Sequence, residues 1–139
     1  MIGGAARATL LAALVANVLG WVLPAFSGER GWEAFVFALS PLWDYRNFQS
    51  EGLGLLAFIV LSALTNVLFA ALAAVLAFGA ARHARAVLWA AAAATLLNLY
   101  WPILLQADRT RLEAGYFIWV SSFALLALSA FLALRSAPR

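Results

Sequence analysis

The chain has 139 residues, 66% of them apolar and 11% charged, with a formal charge of +3 and no cysteine. Soluble domains run near half apolar and a quarter charged, so this composition excludes an ordinary water-soluble fold. The missing cysteine also excludes a disulfide framework, a thiolate metal site, an iron–sulfur cluster and a cysteine nucleophile, and the arginines are too scattered to form a patch for nucleic acid.

Arg7 to Glu29, Glu51 to Arg82, Arg85 to Asp108 and Glu113 to Arg135 each enclose an uncharged run. Each run is longer than the roughly 18 residues that mark a membrane-helix candidate. Backbone polar groups inside lipid must be bonded within their own segment, which makes each run a helix. The expected fold is all-α: a polytopic membrane protein with one domain, a four-transmembrane-helix bundle, and a short amphipathic helix in its outer loop. The spans are expected at about 8–26, 53–81, 86–105 and 114–134, with the outer interfacial segment at about 31–50.

The first span carries Ala12, Ala16 and Gly20 four residues apart, the small-residue spacing that lets two helices approach closely. Leu23-Pro24 and Ser27-Gly28 end it by removing a backbone donor and supplying turn residues. Arg7, the apolar run and Ala25-Phe26-Ser27 also resemble a signal peptide with its cleavage site. The run is long for that role, so a permanent helix is expected. In the outer segment Trp32, Phe35, Val36 and Leu39 recur at helical spacing until Pro41 stops them, the pattern of a helix lying at the interface or capping the bundle.

The second span is the longest and should tilt; Ser62, Thr65, Asn66 and Phe69 share one of its faces. The third aligns Thr95, Asn98 and Pro102 along one stripe, with a kink expected at Tyr100-Trp101-Pro102. The fourth places Gly115, Ser122, Ser129 and Ser136 seven residues apart, a seam of small residues that implies left-handed close packing.

Asn17, Asn66 and Asn98 fall at one depth on three spans, with Ser121 and Ser122 slightly further out. An amide buried in lipid needs partners. The layer therefore reads either as interhelical glue or as the lining of a ligand site. Most tryptophans and tyrosines gather towards the outer side, as an aromatic belt does. The alternative is an outward groove for a lipid-like molecule, with Trp101, Tyr116 and Trp119 as its walls. His83, the one histidine, reads as a solvated loop residue, and no residue set suits a metal or a protein-ligated haem. No cofactor is expected.

Arg7, Arg82, Arg85, Arg135 and Arg139 flank the spans on one side without an acid, and the other side holds all six acids beside four arginines. The positive-inside rule then puts both termini in the cytoplasm of a cell whose inner membrane holds the chain. A lysine-free composition rich in Ala, Leu and Arg points to a GC-rich bacterial or archaeal coding sequence.

Leu23-Pro24, Ser27-Gly28, Gly31-Trp32-Glu33 and Gly115-Tyr116-Phe117-Ile118-Trp119-Val120-Ser121-Ser122-Phe123 together resemble small bacterial four-helix (tetraspan) membrane proteins that are uncharacterised. The resemblance implies the fold and no activity. The outline is also similar to claudin-like proteins, but the paired cysteines of their first outer loop are missing.

Two functions follow as expectations. The first is a non-enzymatic membrane subunit or scaffold that packs through its small-residue faces with copies of itself or a larger complex. The second is a binding or transport module for a lipid-like or small neutral molecule, held in the polar layer under the aromatic vestibule. A membrane enzyme would need Glu33, Asp44, Glu51, Asp108 or Glu113 paired in a cleft.

Overall fold

The computed structural model describes residues 3–48, 52–78, 81–105 and 110–136. Four helices long and apolar enough to cross a membrane dominate it: Gly4–Val22, Leu53–Phe78, Ala84–Leu105 and Ala114–Ser136. In chain order, α1 (Gly4–Val22) is followed by strands β1 (Pro24–Phe26) and β2 (Glu29–Arg30) and by the short α2 (Gly31–Leu39). The spans α3 (Leu53–Phe78), α4 (Ala84–Leu99) with its continuation α5 (Trp101–Leu105), and α6 (Ala114–Ser136) complete the bundle. At 1.5 Å per residue α3 is about 39 Å long, more than the roughly 30 Å of hydrocarbon it would cross.

The first span begins earlier than the sequence indicates and stops at Val22, four residues short of Phe26. Apolarity continues past Val22, but Pro24 cannot extend the helical ladder. The chain turns instead into a small antiparallel hairpin, with Ser27 and Gly28 at φ 50° and 86° in its turn. The hairpin is stitched to the segment before α6: Ser27 N–H donates to Arg111 O at 2.8 Å and Glu113 N–H to Ala25 O at 3.1 Å. Gly28 N–H donates to the Glu113 carboxylate at 2.6 Å.

Beyond the hairpin, α2 starts on Gly31, where a Cβ would lie 2.1 Å from Gly20 O. That approach folds α2 back over the end of α1, and only glycine permits it. Glu33 accepts the Arg30 amide at 2.8 Å, capping the helix start. Pro41 ends α2 as its position predicts, in a buried turn.

Within the bundle α6 is central, packing along α1 on one side and α4 on the other, while α3 rests mainly on α4 and α2. Helices α1 and α6 are antiparallel. Gly3 lies against Ser136, Ser129 Oγ donates to Ala6 O at 2.6 Å, and a Cβ on Gly20 would come within 2.5 Å of Trp119 Cβ. Gly115, Ser122 and Ser129 are all buried on this seam, as their spacing predicts.

The complementary stripe on α1 is Ala6, Ala13 and Gly20, all buried and again seven apart. It is not the stripe through Ala12 and Ala16: Ala12 is exposed and Ala16 half-buried. Two seams of period seven mesh when antiparallel helices supercoil left-handed, and the four-residue series through Ala12 drifts off that contact.

The end of the bundle where α1 begins and α6 ends has an apolar core, with Leu76, Val87, Phe123 and Leu126 fully buried among alanines. Phe69 meets Phe123 edge-on at 5.3 Å. The opposite end, beneath the hairpin, is built differently.

Candidate functional site

At the hairpin end of the bundle polar residues of all four spans converge in two clusters. The first surrounds Asn98. Pro102 has no N–H to give the carbonyl four residues before it, and α4 gives way to α5 at Tyr100. The carbonyl so released, Asn98 O, is taken by the Tyr116 hydroxyl at 2.5 Å. The Asn98 side chain, fully buried, accepts from Ser62 Oγ at 2.7 Å. Its Nδ2 donates to Thr65 Oγ1 at 3.1 Å and to Ala94 O at 2.9 Å. Trp101 Nε1 donates to Ser62 Oγ at 2.9 Å. The kink anticipated at Tyr100-Trp101-Pro102 thus works as a hydrogen-bonded junction of α3, α4, α5 and α6.

The second cluster surrounds Asn66. Its Oδ1 accepts from two indoles, Trp119 Nε1 at 2.7 Å and Trp21 Nε1 at 3.1 Å, which fills both lone pairs of the amide oxygen. Its Nδ2 donates to Ala63 O at 3.0 Å. Asn17 is tied separately, its Nδ2 donating to Ser122 Oγ at 3.1 Å across the α1–α6 seam. Ser122 Oγ in turn donates to Trp119 O at 2.6 Å.

The asparagine layer is therefore split: Asn98 ties α4 to α3, Asn66 ties α3 to α1 and α6, and Asn17 ties α1 to α6. Ser121 does not join it: the residue is exposed and its hydroxyl turns back to Phe117 O at 2.7 Å. Its neighbour Ser122 takes the buried seam, and one residue along a helix is a rotation of about 100°. Among the described residues every buried side-chain nitrogen and oxygen has a partner, as a low-dielectric interior requires.

Between these clusters and α2 lies a cavity of about 870 Å³, inside the range of roughly 300–1,000 Å³ typical of small-molecule sites. Trp21, Ser62, Asn66, Trp101, Tyr116 and Trp119 line its deep end. Phe35 and Ala38 of α2, Leu55 and Ile59 of α3, and Leu104 of α5 form the walls. The space exists because α2 bridges from α1 to α3 while α3 makes few close contacts with α1 and α6. Trp101, Tyr116 and Trp119 were legible as candidate walls and α2 as a helix at the interface or capping the bundle; that Trp21 and α2 line the same space was not. Trp21 is held by Asn66 and by Phe35, whose ring centroid is 5.1 Å away. Neither partner is near it in sequence.

Three of the acids on this side hold local structure. Glu33 caps α2 and Glu113 holds the hairpin turn, and Asp44 accepts from the Asn47 amide within its own turn. Glu51 and Asp108 lie outside the described residues. Among the described residues no three His, Cys, Asp or Glu side chains converge. His83 is exposed beside Arg82, whose Nε donates to its Nε2 at 2.8 Å.

No family model, curated protein or solved structure matches this chain. What the fold and cavity define on their own is a helical protein with four candidate membrane spans.

Proposed function

We propose that this chain is a membrane-embedded binding module for a lipid-like or small neutral molecule, carried in the cavity beneath α2. The observation that carries the reading is the cavity itself: about 870 Å³ of mostly apolar space, lined at its deep end by a few polar side chains that hydrogen bonds within the protein hold in place. An apolar pocket with a few fixed polar groups is the usual form of a small-molecule site.

The other function expected from the sequence, a scaffold assembling through small-residue faces, would need those faces free. The Gly115, Ser122 and Ser129 seam meets the Ala6, Ala13 and Gly20 stripe of the same chain, so that seam supports self-contained folding more than assembly, and of the expected small-residue positions Ala12 and Ala16 are left on an open face. The proposal sets the chain in the cytoplasmic membrane of a bacterium with both termini inside. The support is the arginine bias, five on the terminal side against four on the other.

Native mass spectrometry of the protein gently extracted from its own membrane tests the reading. A single chain retaining one defined apolar adduct is the expected result. A stoichiometric partner chain or fixed oligomer without an adduct overturns it in favour of the scaffold.

A further inference from the structure

The deep end of the cavity has a polarity of its own. Trp21, Trp101 and Trp119 each spend their single N–H inside the protein, on Asn66, Ser62 and Asn66 respectively. The Asn66 oxygen is saturated by two of them. Ser62 and Tyr116 line the same end but are only 4% and 5% exposed, and each donates its hydroxyl hydrogen to Asn98.

Asn66 is different. It is half-buried and lines the cavity. Its Nδ2 carries two hydrogens, and among the described residues it has one acceptor, Ala63 O. Among the described residues, that second hydrogen is the donor left at the deep end. The amide plane is fixed from both sides, by two indoles on the oxygen and by the Ala63 carbonyl on the nitrogen, so this donor is held in place before anything binds.

Resting on the binding reading above, we infer that the cavity takes an elongated apolar molecule whose inward end is a hydrogen-bond acceptor, a ketone, ester or quinone-type carbonyl oxygen given to Asn66 Nδ2. A plain hydrocarbon end leaves that N–H unpaired in an apolar setting, which is unfavourable. An inward-facing ammonium finds no open acceptor at Asn66.

The test compares methyl tridecyl ketone with pentadecane, an alkane of equal carbon count, on the full chain in detergent micelles. Retention is read by native mass spectrometry and the bound ketone's carbonyl stretch by infrared spectroscopy. One net hydrogen bond predicts ketone retention about three- to tenfold above the alkane, with the carbonyl band moved to lower frequency. Asn66→Asp keeps an oxygen for both indoles and has at most one hydrogen, so it should bring the ketone down to the alkane and remove the band shift. Equal retention of the two ligands by the native chain overturns the acceptor-end inference and leaves the binding reading standing. A ketone preference that survives Asn66→Asp overturns the assignment to Asn66. Retention of neither ligand overturns the binding reading itself.

Discussion

The two ends of this bundle meet the same requirement, keeping lipid out of a helical interior, by opposite means. At the terminal end the helices close on alanines, and the four largest fully buried apolar side chains, Leu76, Val87, Phe123 and Leu126, fill the space between them. At the hairpin end α1 and α6 still meet through Gly20, but large rings and amides stand between them and α3. Trp21, Trp101 and Trp119 are propped by hydrogen bonds to Asn66 and Ser62, and the span between them stays open. The packed half rests mainly on shape, with Ser129 Oγ bonded to Ala6 O across its seam. An open half needs each wall to be held individually, which is why the long-range side-chain bonds of α3 and α4 collect there.

The contrast is broken most severely by adding volume to the packed half. Ala13 has no exposed surface and lies on the α1 stripe that meets α6. Ala13→Leu is expected to destabilise the chain by about 3 kcal/mol or more, since overpacking a tight seam forces the helices apart. Unfolding in mixed micelles titrated with SDS checks this. A change near zero would mean that the seam is not the close contact described here.

Next in size is Asn98→Leu, which removes three side-chain hydrogen bonds at once. Two of the three are interhelical, and at roughly 0.6–2 kcal/mol for each of these a loss of about 2–3 kcal/mol is expected in the same titration. The damage should concentrate at the open half. Hydrogen exchange should rise in α5 and the outer turns of α3 while the Leu76–Leu126 core stays protected.

Much of this arrangement was legible in the sequence for one physical reason: polar residues are costly in lipid, so their placement carries meaning. Ser62, Thr65, Asn66 and Asn98 announced an interior face, and Gly115, Ser122 and Ser129 announced a seam. Where every residue is apolar or small, no such contrast exists. Ala12-Ala16-Gly20 and Ala6-Ala13-Gly20 are equally small stripes on α1, and only the period of the partner helix selects the second. The β1–β2 hairpin was hidden because its strands are three and two residues long and depend on α6's leading segment for partners. The roof formed by α2, and with it the cavity, depends on Gly31 meeting Gly20, a contact between residues that no local pattern connects.

A smaller effect isolates the junction from the cavity. Tyr116→Phe removes the one hydroxyl that covers the carbonyl Pro102 leaves bare, without changing the ring. The expected cost is about 1 kcal/mol, a single net hydrogen bond. Because Tyr116 touches both the junction and the cavity wall, the variant separates the two roles: weaker stability with intact ligand retention assigns the hydroxyl to the junction alone.

The least effect on stability is expected where the packed half suffers most from the same substitution. Ala38 of α2 lines the cavity wall, opposite in kind to Ala13. Ala38→Leu has room to enter the open space, so its unfolding free energy should stay within about 0.5 kcal/mol of the native chain. The added side chain nevertheless occupies ligand volume, and the small-molecule adduct should fall in native mass spectra while the fold is unchanged. If Ala38→Leu destabilises as strongly as Ala13→Leu, the hairpin half is close-packed in the membrane and the distinction between the two ends disappears. If stability and adduct are both unaltered, the ligand lies away from α2, and the bonds that hold Trp21, Trp101 and Trp119 serve packing alone.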